Sequence, residues 1–444
     1  MTIYALSSGP GISGLAVIRV SGDKCLEILK SLTNGALPKP RVATLKTIHK
    51  INSKEIIDQG VVLWFPEPES YTGENLLEFH IHGSIAVIKE MQETLSKFEN
   101  CRIAEPGEFT KLAFQNGKID LLKAESIGDL ISSETEIQRR QAIDIMLGSQ
   151  RKKFEKWRSQ LLKVLSNIEA KIDFPDEDLS SDILKEIKNT SEIVKKEIKK
   201  ALNDSNVGER IREGFKIAIL GPANAGKSSL LNYLSKREVA IVSEIAGTTR
   251  DVIETHLNIN GYPVIMSDTA GIRDAKDEIE QKGIKLALKK AENADLNLVV
   301  IEPKNGYFTG VLKGLVNSDK TILVVNKSDL GTSKIEKELN KFSPIYISIK
   351  EEKNLKQLIY LIRDKLKNKF VSTEDTLITR ERHRQHLIHC VENLENFQNK
   401  NFEGDFDKAA EDLRLATRQL GMIVGKVDVE EILGSIFNDF CIGK

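Results

Sequence analysis

The sequence predicts a multidomain protein with an α+β N-terminal domain, an all-α central domain and an α/β domain inserted into the all-α one. Three observations support this prediction. The chain has 444 residues, a length that suggests about three domains. Gly and Pro punctuate short apolar runs near the N-terminus but are nearly missing from the middle of the chain. Further on, strand-like and helix-like patterns alternate, which is typical of βαβ units around a parallel sheet.

Composition restricts the compartment and the partners. Basic and acidic residues both total 65, so a nucleic-acid surface would have to be a local patch. Four cysteines lie far apart without CxxC spacing, which argues against a disulfide framework and a zinc knuckle and favours a reducing compartment. The N-terminus lacks the pattern of a signal peptide, and no stretch approaches the length of an apolar membrane span. We therefore expect a soluble cytoplasmic protein that does not bind membranes.

The first predicted domain covers residues 1–118. Its apolar runs "GLAVIRV" and "GVVLWF" are separated by Pro- and Gly-containing segments such as "FPEPES" and "AEPGEF". Short apolar runs between such turn signals are typical of strands joined by loops. This texture predicts the α+β domain.

The second predicted domain is helical and discontinuous. From Ser149 to Val207 there is no Gly and one Pro, Pro175, and apolar residues recur at helical spacing. The tail from Val371 returns to the same periodicity. We expect one helical domain over 119–212 and 371–444, carrying the α/β domain 213–370 as an insertion, since domain termini often lie close together. Two separate helical domains remain an alternative.

The inserted domain begins with a phosphate-binding pattern. "FKIAILGPANAGKSSLLNYL" gives a strand, a G-x-x-x-x-G-K-S loop and a helix in the order of a P-loop. Glycines let backbone N–H groups face phosphates, Lys227 can reach the β and γ phosphates, and Ser228 can ligate Mg²⁺. The predicted nucleotide contacts in this loop are Asn224, Ala225, Gly226, Lys227, Ser228 and Ser229.

Two later segments complete a guanine-nucleotide site. "VIMSDTAG" ends a strand with Asp268, Thr269, Ala270 and Gly271, where Asp268 can support Mg²⁺ and the Gly271 amide can meet a γ-phosphate. "TILVVNKSD" then supplies Asn326, Lys327, Ser328 and Asp329. The Asp329 carboxylate can accept hydrogen bonds from the two neighbouring donors of guanine, which adenine lacks. A weaker fifth loop is Ser348, Ile349 and Lys350, and the predicted ligand is GTP.

Two details indicate the kind of GTPase. The position after D-T-A-G is Ile272, which cannot orient water as the glutamine of Ras-like switches does. Another group must act, and the acidic stretch that follows offers Asp274, Asp277, Glu278 and Glu280. The switch segment "SEIAGTTRD" should carry the Mg²⁺-binding threonine. Near the phosphates, the amide oxygen of Asn224 can hold a monovalent cation that takes the place of an arginine finger.

Over essentially its full length, the chain resembles the MnmE (TrmE) family of tRNA-uridine modification GTPases. The resemblance rests on "YTGENLLEFHIHG", "EPGEFTKLAFQNGKIDLLKAESIGDLI", "GPANAGKSSLLN", "IAGTTRD", "DTAGIRD" and the final "CIGK". One departure is Ala223, where family members usually have Pro, and we expect no functional effect from it.

The resemblance implies a K⁺-dependent GTPase that forms a homodimer through its G domains. Carried over, K⁺ would be surrounded by Asn224, Ser243, Ile245 and Thr248. Mg²⁺ would be bound by Ser228 and Thr249, and Glu280 would orient the attacking water as a catalytic residue. Nucleotide contacts in the switch segment would be Ser243, Glu244, Ile245, Ala246, Gly247, Thr248 and Thr249.

The resemblance also implies that the N-terminal domain binds a tetrahydrofolate derivative, 5,10-methylene- or 5-formyl-tetrahydrofolate. The matching residues are Arg19, Glu78 and Lys118, together with Lys444. Strand alternation is compatible with this, because in "LLEFHIH" it sends Leu77, Phe79 and Ile81 to one face and Glu78, His80 and His82 to the other. Without a third ligand, the two histidines do not predict a zinc site.

The chain ends in "FNDFCIGK". Gly443 and Lys444 do not fit a prenylation signal, which leaves Cys441 as a packed or a functional thiol. Ile442 offers an apolar anchor and Gly443 a tight turn for docking this tail. In the family interpretation the tail docks at the folate site and Cys441 is catalytic. A direct or positioning role and simple structural docking both remain open.

The resemblance further implies that the chain acts with the flavoprotein MnmG, in a heterotetramer, on the wobble uridine of certain tRNAs. It would install an aminomethyl or carboxymethylaminomethyl group at C5, with the folate supplying the carbon. The alternatives are a regulatory ribosome-assembly GTPase without chemistry of its own, and a folate-dependent aminomethyltransferase controlled by GTP. The tRNA set and the amine source, ammonium or glycine, stay open.

Two basic segments have ordinary interpretations. "RHRQHLIHC" carries His383, His386 and His389 beside Cys390 and is expected to form a basic helical face. "RKKFEKWRSQLLK" could face tRNA, but charged helices are usually just solvated.

Overall fold

The computed structural model divides the chain into two compact units. The first comprises 1–128, 145–178 and 400–444, and the second comprises 129–144 and 179–399. The structure describes all residues except 36, 175–180, 205, 238–239, 242–253, 269–287, 304–313, 315, 317–318, 332–341, 371–376, 401–404, 428–432, 434–435, 438–439 and 444.

The first unit is built on a six-stranded sheet with strand order β3-β4-β5-β2-β1-β6. Its strands are β1 (Thr2–Leu6), β2 (Ser13–Ser21), β3 (Thr44–His49), β4 (Ile56–Phe65), β5 (Leu76–Gly83) and β6 (Cys101–Ile103). Helices α1 (Cys25–Leu32) and α2 (Ile85–Leu95) lie between these strands in the sequence. Helices α3 (Glu108–Gln115) and α4 (Leu121–Ile131) follow the last strand.

Alternating burial along β5 explains why this sheet folds. Leu77, Phe79 and Ile81 are at most 1% exposed and join one core with α1 and α2. Burial of each such side chain contributes about 1.5–3 kcal/mol. The opposite face carries Glu78 and His80, as the alternation predicted. Ser84 caps α2, because its Oγ accepts a hydrogen bond of 3.1 Å from the Val87 N–H.

The helical segments distribute between the two units. The remaining helices are α5 (Glu136–Met146), α6 (Ser149–Asp173), α7 (Ser181–Leu202), α8 (Val207–Glu213), α9 (Lys227–Arg237), α10 (Leu355–Phe370), α11 (Glu381–Gln398) and α12 (Phe406–Val424). Helix α6 packs along α12 in the first unit, and α7 packs along α11 in the second. The single helical domain over 119–212 and 371–444 and the insertion 213–370 stay predictions.

The second unit contains a seven-stranded sheet with strand order β13-β12-β11-β7-β10-β9-β8. Its strands are β7 (Phe215–Leu220), β8 (Ala240–Ile241), β9 (Glu254–Ile259), β10 (Tyr262–Asp268), β11 (Leu296–Ile301), β12 (Thr321–Val325) and β13 (Ile345–Tyr346). Strands β10, β7, β11, β12 and β13 are parallel, and β9 is antiparallel to both β10 and β8.

Both faces of this sheet are covered. Along β7, Phe215, Ile217 and Ile219 join one core cluster, whereas Ala218 and Leu220 join another. A strand buried on both faces reads as a continuous apolar run, and "FKIAIL" is such a run. The fold is therefore the predicted multidomain arrangement, with an α+β part, helices and a P-loop α/β part. Within the described part of the chain, no helix is both long and apolar enough to cross a membrane.

Helix α11 corrects one expectation. Its histidines do not form a single basic face, because His383 and Cys390 are buried whereas His389 is exposed. Arg384, next to His383, is also buried, and its charge is tolerated there because the guanidinium is paired. It donates to Glu209 at 2.9 Å and to Asp204 at 2.9 Å, so the charge is compensated inside the unit.

Candidate functional site

The phosphate loop lies between β7 and α9. Gly221 has φ 143°, and a Cβ there would lie 2.0 Å from the carbonyl oxygen of Val300. Only glycine allows this approach of two backbones. The loop then enters α9 at Lys227. The first N–H groups of a helix lack intrahelical partners and point out of its N-terminus, so this end favours an anionic ligand.

Lys227 folds back over the loop. Its Nζ donates a hydrogen bond of 3.0 Å to the carbonyl oxygen of Pro222, and the residue is 7% exposed. Asn224, Ser228 and Ser229 are instead exposed. Asn224 has a positive φ of 64°, a conformation that Asn adopts more readily than most residues. The loop thus combines one enclosed cation with several accessible polar side chains.

The segment after β12 is tied to this loop. The Asn326 side-chain amide donates to the carbonyl oxygen of Ala225 at 2.9 Å, and its Oδ1 accepts from the Ile349 N–H at 3.4 Å. Asn326 is 3% exposed. The amide therefore connects the phosphate loop with both segments predicted to surround the base.

Asp329 lies in a short 3₁₀ helix, Ser328–Leu330. Ser348 Oγ donates to its Oδ1 at 2.7 Å. This hydrogen bond is the main reason that the pKa of Asp329 is lowered, with smaller help from the charges of Lys350 and Lys327. Lys327 in turn pairs with Glu302 at 2.8 Å. The hydrogen bond from Ser348 thus favours the ionised carboxylate, which keeps further lone pairs that can accept hydrogen bonds.

Of the remaining predicted nucleotide and metal residues, Asp268 is described at the end of its strand and the others lie outside the described part of the chain. Asp268 ends β10, and its backbone pairs with Ile219 of β7. The residues not described are Ser243, Glu244, Ile245, Ala246, Gly247, Thr248, Thr249, Thr269, Ala270, Gly271 and Glu280, together with Lys444 at the end of the chain.

In the first unit, Arg19 and Glu78 face each other across β2 and β5. The guanidinium donates to Glu78 Oε1 at 2.9 Å from Nη2 and at 3.1 Å from Nε. The two side chains are 16% and 17% exposed. Glu78 Oε2 lies 3.3 Å from His80 Nε2. This face of the sheet therefore presents a carboxylate between two nitrogen-bearing side chains.

Two aromatic rings that the sequence analysis did not single out complete the surroundings of Arg19. Its guanidinium carbon lies 5.4 Å from the Tyr71 ring centre and 5.7 Å from that of Phe109. Tyr71 is anchored by Thr110, whose hydroxyl is 2.8 Å away. Cation–π contacts of this kind help to fix an arginine. The motifs "YTGENLLEFHIHG" and "EPGEFTKL" contain both rings, so this signal was present in the sequence.

Lys118 follows α3 and is exposed. A Cβ on Gly73 would lie 3.3 Å from its Cε, so Lys118 borders the loop that carries Tyr71. Lys118 also lines a cavity of about 900 Å³ whose walls include Arg151 and Lys426. Sequence reasoning grouped it with Arg19 and Glu78, whereas the structure additionally places it in this basic cavity.

The C-terminal tail docks through its backbone. Ile442 pairs with Pro106 in an antiparallel bridge, and Ser7 Oγ donates to the carbonyl oxygen of Gly443 at 2.8 Å. Gly443 has φ 96°, and a Cβ there would lie 2.2 Å from the Leu6 carbonyl oxygen. The thiol of Cys441 is exposed.

The expected apolar anchor at Ile442 is wrong. The Ile442 side chain is 54% exposed. Ile442 holds the tail through its backbone bridge to Pro106. The apolar anchor comes earlier, from Phe437 and Phe440, which pack with Leu121 and Ala124. Their rings lie 5.4 Å apart. The docked tail thus leaves the sulfur facing solvent beside the first strand.

Comparison with known proteins gives a consistent picture. Residues 2–118 match the family described as GTP-binding protein TrmE N-terminus, and residues 121–441 match the MnmE helical domain. The chain is 68% identical over 444 residues to the tRNA modification GTPase MnmE of Pelagibacter ubique, covering 100% of both chains. It is 45% identical over 447 residues to that of Rickettsia bellii and 44% identical over 450 residues to that of Rickettsia prowazekii, with 100% coverage in each case.

Proposed function

Because this chain belongs to the MnmE family of tRNA modification GTPases, we propose that its guanine-nucleotide site and its N-terminal polar site serve a single reaction on tRNA. The chain is a GTP hydrolase that acts in wobble-uridine modification. The proposed reaction adds an aminomethyl or carboxymethylaminomethyl group to C5 of that uridine, with a tetrahydrofolate one-carbon unit and the flavoprotein MnmG as partner.

One observation carries the nucleotide part of the proposal: the buried hydrogen bond between Asn326 and Ala225. It holds the base segment at a fixed position relative to the phosphate loop. A nucleotide bound with its phosphates at the N-terminus of α9 then brings its base to Asp329. The Asp329 carboxylate, whose ionised form the Ser348 hydrogen bond favours, accepts from the two guanine donors and rejects adenine.

Metal binding is proposed around the same loop. Ser228 is exposed at the start of α9, where its hydroxyl fits as one Mg²⁺ ligand, with Thr249 as another and Asp268 in support. Asn224 is exposed in the loop and fits a K⁺ ligand through its amide oxygen, together with Ser243, Ile245 and Thr248. The two cations would supply positive charge where negative charge develops during phosphoryl transfer. Glu280 is the proposed residue that orients water.

The folate site is proposed at the Arg19–Glu78 pair. The Glu78 carboxylate has acceptor positions beyond the one that Arg19 occupies, and a pterin edge offers paired N–H donors. Arg19 and Lys118 can meet carboxylate groups of the same ligand. Tyr71 and Phe109, which flank Arg19, offer flat apolar surfaces for an aromatic ring. A folate would supply the one-carbon unit when bound there.

The docked tail is proposed to bring Cys441 to this site, with Lys444 near the ligand. The Gly443 contact to Ser7 places the tail beside β1, and Cys441 lies on the exposed side. The thiol is accessible, as a nucleophile must be. The homodimer through the G domains and the heterotetramer with MnmG belong to the same proposal.

Mass analysis of wobble uridines tests the function as a whole. Cells that lack the protein are expected to lose the modified nucleoside, and the intact gene is expected to restore it. An Asp329→Asn gene should fail to restore it at ordinary GTP levels. Unchanged wobble uridines in the deletion strain, together with altered ribosome profiles, would instead support the ribosome-assembly alternative.

A further inference from the structure

A basic groove runs along α6 in the first unit. Two adjoining cavities of about 900 and 490 Å³ share Glu155 and Lys426 in their walls. Together they are lined by seven basic and two acidic side chains. The chain as a whole has a formal net charge of +0, so this excess of positive charge is a local concentration.

The groove is created by tertiary structure. Helix α6 contributes Arg151, Lys152, Lys156 and Arg158. Of these, Lys152 and Lys156 are exposed on the side of the helix opposite its buried Phe154 and Trp157. The segment after α3 adds Lys118, and the end of α12 adds Arg418 and Lys426. Gly425 ends α12 with φ 81° and packs within 2.8 Å of Phe114 and Leu121, measured from an added Cβ. This turn sets the position of Lys426.

The two acidic side chains organise the groove from inside. Glu155 accepts from Lys426 at 2.9 Å and from Arg151 at 3.2 Å. Asp120 pairs with Arg151 at 3.0 Å. Burial opposes ionisation of Glu155, but the hydrogen bonds from Lys426 and Arg151 outweigh it and lower the pKa. The acids therefore fix two cations and leave the surplus positive charge on the walls.

Arg158 lines the groove and packs against α12. Its Nε is buried and has no hydrogen-bond partner among the residues that the structure describes. A Cβ on Gly421 would lie 3.4 Å from this atom, so this side of the guanidinium packs against α12.

We infer that this groove binds the phosphate backbone of tRNA. The inference rests on the action of this family on tRNA. Lys152 and Lys156 are exposed one helical turn apart, about 6 Å along α6, so each can meet a separate phosphate. The seven basic and two acidic side chains of the groove walls favour a polyanion as the occupant. Contacts of this kind position the nucleic acid without reading its sequence.

The test measures binding of the full-length protein to a tRNA substrate as a function of salt. Replacing two lysines, Lys152→Gln with Lys156→Gln, is expected to weaken binding about tenfold near physiological salt. It should also reduce the slope of log affinity against log salt by about two, one for each phosphate contact. GTP hydrolysis without tRNA and the unfolding midpoint should not change. Lys89→Gln, a 74% exposed lysine on α2 outside the groove, is the matched control.

The proposal is overturned if the double variant binds tRNA with wild-type affinity and wild-type salt slope. It is equally overturned if the intact protein shows no salt-dependent binding, or if the variant loses affinity for the flavoprotein partner alone. Because GTP hydrolysis and wobble-uridine modification are measured separately from tRNA binding, failure of this inference is distinguishable from failure of the proposed function. Should the double variant fold poorly, Lys152→Gln alone gives the same readout with a slope change of about one.

Discussion

The side-chain amide of Asn326 donates a hydrogen bond of 2.9 Å to the carbonyl oxygen of Ala225, across 101 positions of sequence. Both groups are buried, so the bond forms out of competition with water. It joins the carboxyl end of β12 to the phosphate loop after β7. A direct hydrogen bond therefore joins the two segments that are proposed to recognise the phosphates and the base.

Gly226 is the residue that permits this bond. A Cβ there would lie 2.2 Å from Asn326 Nδ2, and its φ is 97°. Gly226→Ala is expected to break the Asn326–Ala225 contact and weaken GTP binding about tenfold or more. Nucleotide titration and the unfolding midpoint check this. Gly14→Ala, where a Cβ meets nothing within 4 Å, is the control, and wild-type GTP affinity in the Gly226 variant would contradict the argument.

Asp329→Asn should change the choice of base. The change replaces one acceptor by a donor, so GTP affinity is expected to fall about tenfold or more while xanthine nucleotides bind better. Competition titration with GTP and XTP measures both effects. Ser348→Ala removes only the supporting hydrogen bond and is expected to weaken GTP binding without gain for XTP. If the Asp329→Asn variant bound GTP and XTP with the same affinities as the wild type, Asp329 would not be the residue that selects guanine.

Hydrolysis should depend on K⁺ and on Glu280. Ile272 cannot orient water, because its side chain neither donates nor accepts a hydrogen bond. Glu280→Ala is expected to lower kcat about a hundredfold with GTP affinity unchanged. Glu278→Ala, in the same acidic stretch, should hydrolyse normally. Turnover is compared in K⁺ and Na⁺, and equal rates in the two salts would exclude the cation mechanism.

Cys441→Ser is expected to retain folding and GTP hydrolysis but to abolish wobble-uridine modification. The tail is docked by backbone contacts at Ile442 and Gly443, so a serine should leave its position unchanged. Mass analysis of tRNA after complementation provides the readout. Gly443→Ala, which drives a Cβ into the Leu6 carbonyl, tests docking separately. Wild-type modification in the serine variant would show that the thiol is dispensable.

Glu108 should make the first unit sensitive to acid. Burial raises its pKa, but the hydrogen bond from Arg102, 2.8 Å from Nη1, and one from the Glu105 N–H outweigh it, so the pKa lies below 4.5. A carboxyl group whose pKa is lower in the folded than in the unfolded state stabilises the folded state at pH values above its unfolded pKa. This stabilisation is lost as the pH falls through the pKa of the folded state.

Unfolding midpoints should therefore show a gap between wild type and Glu108→Gln at neutral pH that closes on acidification below about pH 4.5. The exposed neighbour Glu105 provides Glu105→Gln as the control, for which little change is expected. A gap that stays constant down to about pH 3 would mean that the carboxylate charge is not the cause.

Much of the nucleotide region was readable from local sequence. The loop "GPANAGKS" predicts glycine at positive φ followed by a helix N-terminus, and "FKIAIL" predicts a strand buried on both faces. The segment "NKSD" predicts the guanine-binding loop. Alternation in "LLEFHIH" likewise fixed which side chains of β5 enter the core. Such short-range patterns depend on steric limits and on periodicity, which neighbouring residues decide by themselves.

The tertiary structure decided which distant groups meet. Only folding brings Arg19 between Tyr71 and Phe109, and only packing reveals that Phe437 and Phe440, and not Ile442, anchor the tail. The burial of His383 beside a paired Arg384 and the basic groove shared by α6, α12 and the segment after α3 also depend on it. Composition gave a neutral chain, because a sum of charges carries no positions. Charge pairing and burial are set by separation in space, which the order of residues along the chain does not state directly.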